Sequence, residues 1–183
     1  HEKNAGPEKV EIKFNLPPPA PLSPEAALKS FTLEPGYRME LVAAEPLVEA
    51  PIAMSWDDQG RLYVVEMRGY MHDVAGTKDL EPLGRIKRLE DTDGDGRMDK
   101  ASVFLDQLVL PRSVMAVNDG ALVAEPPMLY FCRDTDGDGK ADVKEVIAEH
   151  FGTRTGQPEH MANSPVWAMD NAVWSAGWGT RLK

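Results

Sequence analysis

The stretch DTDGDGRMD (residues 91–99) returns forty-three residues later as DTDGDGKAD (residues 134–142), so the chain carries one acidic loop twice. Each copy lies between two short apolar segments, and the turn sequences DDQG, NDG and MDNA separate the other segments. The order is hairpin, acidic loop, hairpin, acidic loop, hairpin. It predicts an all-β protein with two four-stranded units and the first hairpin of a third. The unit length of about fifty to sixty residues lies near the blade length of β-propellers, so about two and a half blades are predicted.

The predicted strands are short and rich in Val, Leu, Met and aromatic residues. The first covers YRMELVAAE at residues 37–45, and VKEVIAE at residues 143–149 is the least regular. In this last segment Val143, Val146 and Ile147 also share one face of a helix, so a helical exit from the second loop remains the alternative.

The first thirty residues differ from the rest in composition. They are polar and then proline-rich, which predicts an extended arm. Ser23 as N-cap, followed by Pro24 and Glu25, predicts a short helix within SPEAALKSF. We therefore divide the chain into an arm with a short helix, residues 1–30, and a partial propeller with two calcium loops, residues 31–183.

Both acidic loops place oxygen atoms at the spacing of a calcium-binding loop. Carboxylates stand at positions 1, 3, 5 and 9, a glycine at position 6 allows the sharp turn, and a backbone carbonyl is available at position 7. Carboxylates this close repel one another without a cation, although a solvated acidic turn is the alternative. Two structural Ca²⁺ sites are predicted. Their ligands are Asp91, Asp93, Asp95, Arg97 and Asp99 in the first loop, and Asp134, Asp136, Asp138, Lys140, Asp142 and Glu145 in the second.

The segments that flank the loops separate two kinds of calcium site. An EF-hand needs an entering helix and a bidentate Glu at position 12. The first loop has Ser102 there and the second has Glu145, while Pro127 leaves little room for a helix before the second loop. We therefore predict strand-to-strand loops in which the ion supports a turn and no coordination position is open to substrate.

Composition and charge exclude several classes of protein. With 42% hydrophobic and 27% charged residues the chain is globular, and its net charge of −10 argues against a nucleic-acid partner. The single cysteine, Cys132, excludes an internal disulfide and a CxxCH haem site, and we expect it to be a buried strand residue. No apolar run is long enough to span a membrane. The start HEKNAG is typical of a mature exported protein, and a fragment start or an expression scar would look the same.

Three other residues are candidates for a site in a central channel. His160 precedes the first strand of the third unit, where an imidazole could act as a general base; a loop histidine bonded to the backbone is the alternative. Arg68 and Arg112 stand at strand ends and could bind anionic groups of a cofactor or substrate. Surface salt bridges are the alternative for both arginines.

Three stretches, taken as a set, resemble a known family over residues 21–183. They are PLSPEAALKSFTLEPGYRMELVAAEPLVEAPIAMSWDDQGRLYVVEMRGY, GRIKRLEDTDGDGRMDKASVFLDQL and LYFCRDTDGDGKADVKEVI. The set resembles the N-terminal propeller part of the membrane-bound dehydrogenases of planctomycetes and verrucomicrobia, which are distantly similar to soluble quinoprotein glucose and sorbosone dehydrogenases. The resemblance implies an exported, periplasmic or extracellular six-bladed propeller, attached to the membrane through a partner and often joined to a c-type cytochrome domain.

The resemblance also implies an activity. In the quinoprotein relatives, a histidine before an inner strand takes a hydroxyl proton while hydride passes to pyrroloquinoline quinone, and His160 matches that position. Oxidation of a sugar or alcohol, with electrons passed to a cytochrome, is then expected. The acid that assists the base in the relatives would fall near Gly177 or Trp178, and neither residue is acidic.

This departure keeps two other functions open. One is a non-catalytic, calcium-stabilised propeller subunit that binds a glycan or a protein partner, and the other is a calcium sensor that opens when the ion is removed. Six blades of about forty to fifty residues need well over two hundred residues. We therefore expect another chain, or the remainder of a longer one, to complete the propeller.

Overall fold

The computed structural model describes residues 20–152 and 162–176, and these residues form an all-β structure with one short helix. The elements are α1 (Pro24–Lys29), β1 (Pro51–Trp56), β2 (Leu62–Glu66), β3 (Gly84–Glu90), β4 (Lys100–Leu108), β5 (Ser113–Val117), β6 (Gly120–Glu125), β7 (Met128–Arg133), β8 (Val143–Ala148), β9 (Asn163–Trp167) and β10 (Val173–Ala176). No helix in these two ranges combines the length and the hydropathy needed to cross a membrane.

The chain divides into two compact units, residues 1–40 and residues 41–183. In the first unit the hydroxyl of Ser23 accepts a hydrogen bond from the Ala26 amide, as predicted for the N-cap of α1. Glu25 in the first turn and Lys29 in the last turn both suit the helix dipole.

The second unit contains three antiparallel sheets in the order that the turn sequences predict. β1 to β4 form the first sheet, β5 to β8 form the second, and β9 pairs with β10. The first acidic loop connects β3 to β4 and the second connects β7 to β8. The prediction of two four-stranded sheets followed by a hairpin is confirmed.

The first two sheets are copies of one another in register. Leu89 and Cys132 each lie two residues before an acidic loop begins. Leu89 pairs with Leu62 in the first sheet, and Cys132 pairs with Ala121 in the second. The residues of β2 and β3 therefore have counterparts in β6 and β7, and these strands can be compared position by position.

The two sheets pack face to face through the main apolar core of the second unit. Phe104 and Tyr63 meet edge to face with ring centroids 5.0 Å apart, and Val123 and Cys132 cover them from the second sheet. Burial raises the pKa of the Cys132 thiol to about 12, so this residue is a buried, protonated strand residue, as expected. The first strands of the two sheets are also in contact, because the Ala116 amide of β5 donates to the hydroxyl of Ser55 on β1.

Two secondary-structure expectations are corrected. Residues 37–45 do not form a strand but an irregular segment that ends in a turn, since no strand of the described ranges pairs with them. A helical exit from the second loop is excluded, because β8 starts at Val143 and pairs with β7 along most of its length.

Candidate metal centre

The first residue of each acidic loop organises the backbone that follows it. In the first loop Asp91 accepts hydrogen bonds from the amides of Gly94 and Gly96, at 2.7 and 2.9 Å. In the second loop Asp134 accepts from the corresponding glycine amides at 2.7 and 2.8 Å. Both glycines of each pair have positive φ, which the sharp turn requires. The duplicated sequence thus produces duplicated geometry.

Two further aspartates of each loop bring their carboxylate oxygens close to those of this first residue. In each loop three carboxylates offer oxygen atoms that lie within 4.8 Å of one another. The triples are Asp91, Asp93 and Asp99 in the first loop, and Asp134, Asp136 and Asp138 in the second. Only hard oxygen ligands are gathered here, and such a set fits Ca²⁺ better than a softer metal.

The remaining predicted ligands lie around these triples. Asp95 and Asp138 accept hydrogen bonds from the amides of Arg97 and Lys140, which orients the residues whose carbonyls stand at position 7. Asp142 accepts from the Thr135 amide and hydroxyl. Glu145 lies on β8 opposite Phe131 and outside the close triple of the second loop.

Hydrogen bonds lower the pKa of three of the loop aspartates, Asp91, Asp134 and Asp142. The Gly96 amide is the main cause of the lowered pKa of Asp91, and the Thr135 hydroxyl is the main cause for Asp142. Burial raises the pKa of Asp134, but the hydrogen bonds from the two glycine amides and from Arg88 outweigh burial, so the pKa is lowered overall. Because these folded-state pKa values lie below the unfolded ones, the interactions stabilise the fold above about pH 4 and are lost as the pH falls.

The second loop also joins the two sheets. The Ala141 amide donates to the Phe104 carbonyl of β4 at 2.7 Å, and Arg88 Nη1 of β3 lies 2.9 Å from Asp134 Oδ2. The side chains of Arg88 and Asp134 are only 8% and 7% exposed. A loop predicted to support its own hairpin therefore also fastens the second sheet to the first.

Three residues that organise this region were not predicted from the sequence. Besides Arg88, these are the buried carboxylates Glu66 and Glu125, which end β2 and β6 at equivalent positions. Glu66 accepts from the Glu49 amide at 2.7 Å, and Glu125 accepts from the Val109 amide at 2.8 Å. Both bonds hold the chain where it crosses into a new inner strand. The signal that could have found them is the recurrence of Glu at the same register of the repeat.

The predicted channel residues have ordinary partners where they are described. Arg68 forms an ion pair with Glu49 at 2.9 Å. Arg112, which precedes β5, lies over the Tyr70 ring, and its Nη1 is 3.8 Å from Met67 Sδ. It therefore contacts the segment after β2 that contains Arg68. His160, together with Gly177 and Trp178, lies outside the described residues.

The fold and this site define an all-β protein with repeated four-stranded sheets and two acidic loops suited to hard cations. Residues 23–181 match the family model described as Domain of unknown function (DUF7133), and the chain belongs to that family. A search of curated proteins gave no match.

Replacement of one glycine in each loop measures how closely the second loop approaches the first sheet. Gly139→Ala would place its Cβ 2.7 Å from Ser102 Oγ, whereas Gly96→Ala meets nothing within 4 Å. Both alanines bear the strain of positive φ, on the order of 1 kcal/mol. Only Gly139→Ala adds a steric clash, so we expect it to lower the free energy of unfolding by at least ~1 kcal/mol more than Gly96→Ala in urea titrations. Equal losses would contradict the close approach.

A second pair of variants tests the buried ion pair. Arg88→Met leaves Asp134 buried beside an apolar side chain, and in EDTA we expect a loss of about 2 kcal/mol in unfolding free energy. Arg133→Met is the matched control, because Arg133 and Asp119 are also 2.9 Å apart but are 39% and 62% exposed. The control should cost less than ~1 kcal/mol. A control loss as large as that of Arg88→Met would show that burial of the pair does not matter.

Proposed function

We propose that this chain is a calcium-stabilised part of a β-propeller, in which the acidic loops bind Ca²⁺ and fasten neighbouring blades. The observation that carries the proposal is the second loop, whose carboxylates surround one point while its Ala141 amide and Asp134 carboxylate contact the first sheet. An ion held there stiffens the contact between the sheets as well as the turn.

Three features support a propeller. Successive four-stranded sheets repeat in the same register, and the outer strand of the first sheet leads directly into the inner strand of the second. The sheets pack face to face, and β1, β5 and β9, the first strands of the three sheets, are neighbours in space. Sheets arranged radially around a shared axis have these properties.

Calcium binding is tested by titration of the chain and of one variant in each loop. We expect two ions per chain, with Asp93→Asn and Asp136→Asn each removing one, because each deletes a carboxylate from a different cluster. An excess of calcium of about a hundredfold over Kd should add about 2.7 kcal/mol per site to stability. Each variant should remove the gain of one site, because the stability added by calcium depends only on the ratio of free calcium to Kd at that site.

The measurements are isothermal calorimetry and thermal unfolding with Ca²⁺ and with EDTA. Asp58→Asn, in an exposed hairpin turn, is the control and should keep both sites. No binding by the folded wild-type chain would overturn the calcium proposal. A large, reversible opening on chelation, without loss of stability, would favour a sensor instead.

A dehydrogenase activity is a second candidate, and the family resemblance supports it. Under this proposal the exported propeller oxidises a sugar or alcohol with a quinone and passes electrons to a c-type cytochrome, with His160 as the base. Arg112 contacts Met67, the neighbour of Arg68 in the chain, and residues that meet between two sheets could line a channel mouth. Arg68, however, is held by Glu49, and the described residues do not gather a base with these arginines into a quinone site. We therefore derive no catalytic step here. A non-catalytic propeller subunit that binds a glycan or a protein partner remains the rival.

Reconstitution separates these two functions. The full-length protein with Ca²⁺ and pyrroloquinoline quinone should show dye-linked oxidation of at least one compound in a panel of sugars and alcohols. His160→Gln should lower the rate at least about a hundredfold, the usual contribution of a general base, and should leave thermal stability unchanged. Folded, calcium-loaded protein that binds no quinone would eliminate the dehydrogenase and leave the binding subunit.

A further inference from the structure

An apolar groove of about 490 Å³ lies on the first sheet, on the face opposite to the second sheet. Leu62 and Val64 line it, together with Met54 and Trp56, which are 68% and 50% exposed. An apolar cavity of about 150 Å³ already holds a benzene-sized molecule, so this groove has room for several side chains. Exposed apolar surface of this kind marks a contact site.

The internal repeat identifies what covers such a face. Met54 pairs with Val64 in the first sheet, and Val114 pairs with Val123 at the same position of the second sheet. Val114 is only 5% exposed, because that face of the second sheet packs against the first sheet. The groove is therefore the first sheet's copy of a face that a whole sheet covers.

The segment of residues 41–48 repeats contacts that β4 makes with the second acidic loop. The Met98 amide of the first loop donates to the Val42 carbonyl at 2.8 Å, just as the Ala141 amide of the second loop donates to the Phe104 carbonyl at 2.7 Å. Val42 thus accepts from the first loop the same hydrogen bond that Phe104 of β4 accepts from the second loop. The segment occupies the place of an outer strand although it pairs with no strand in the described ranges.

The connection that follows this segment is also repeated. The Glu49 amide donates to the buried Glu66 and the Val109 amide donates to the buried Glu125. Residues 41–48 therefore lead into β1 as β4 leads into β5. They correspond to the fourth strand of a preceding sheet whose other three strands are not among the described residues.

The glycines of the two loops also differ in their neighbours, because only the second loop packs against a sheet among the described residues. Gly139 is buried and a Cβ on it would contact Ser102 of the first sheet, whereas Gly96 is exposed and has open space around it. The counterpart of Ser102 for the first loop would belong to that preceding sheet. Asp91 likewise takes the place of Asp134, so a basic side chain on the third strand of that sheet would face it as Arg88 faces Asp134.

We propose that the groove and residues 41–48 bind a further three-stranded copy of this repeat, whose third strand pairs with residues 41–44 as β3 pairs with β4. The inference rests on the proposed propeller and specifies where its ring closes. Backbone pairing supplies affinity, and alternate apolar side chains enter the groove. A second copy of this chain fits less well, because among the described residues β9 and β10 would leave one strand position unfilled.

The probe is a blocked synthetic peptide with the sequence LGRIKRLE (residues 83–90), which includes β3 and carries Arg88. We expect saturable binding to the intact chain with Kd below ~1 mM by fluorescence anisotropy. Amide hydrogen exchange at residues 41–44 should slow at least about tenfold on binding. Met54→Asp should weaken binding at least tenfold, and a peptide with Arg88→Met should also bind more weakly.

The control variant is Val74→Asp, which adds the same charge at a site that is 99% exposed and does not line the groove. It should bind like wild type, and a scrambled peptide of equal charge should not bind. No saturable binding, equal binding of the scrambled peptide, or unchanged exchange at residues 41–44 would overturn the proposal. Self-association that Met54→Asp abolishes in sedimentation velocity would identify a second copy as the occupant and would also overturn it. Calcium titration of the same samples keeps the two proposals apart: peptide binding without calcium binding would contradict only the calcium proposal.

Discussion

The contact between the second acidic loop and the outer strand of the first sheet determines how the two sheets of this protein fit together. Burial of Phe104 and its neighbours supplies most of the attraction, but apolar contact is non-directional and tolerates several relative positions. The hydrogen bond from the Ala141 amide to the Phe104 carbonyl is directional, and so is the Arg88–Asp134 ion pair. Each forms in only one register of the two sheets. Position is therefore set by a few polar atoms, while cohesion comes from the apolar core.

The recurrence of one loop predicted most of the fold. Because both copies have the same spacing to their flanking strands, the order and the number of strands followed from turn chemistry alone. The failure at residues 37–45 has a physical cause, since apolar β-forming residues specify a strand only when a partner supplies hydrogen bonds. Residues 41–44 have no such partner among the described residues, so the strand predicted there did not form.

The candidate site was predictable to a similar extent. Carboxylates at fixed spacing within one loop are a local pattern, and the structure brings three of them together in each loop, as that pattern suggests. Arg88 and Asp134 are forty-six residues apart, and their pairing depends on how two sheets pack, which no local spacing encodes. A search that aligned the two repeats would have found the recurrent buried glutamates, Glu66 and Glu125. It would not have found Arg88, because Phe131 takes that place in the second copy.

Two groups of acidic residues in this chain consequently differ in their surroundings. Those in the loops are mostly exposed, and in each loop three of them bring oxygen atoms within 4.8 Å of one another, which suits a cation. Glu66 and Glu125 are buried and bind backbone amides at the crossings between sheets, where desolvation is offset by hydrogen bonds and by basic partners such as Arg85 and Lys144. A buried carboxylate in this setting adds little net stability, but a misplaced crossing would leave it unsatisfied.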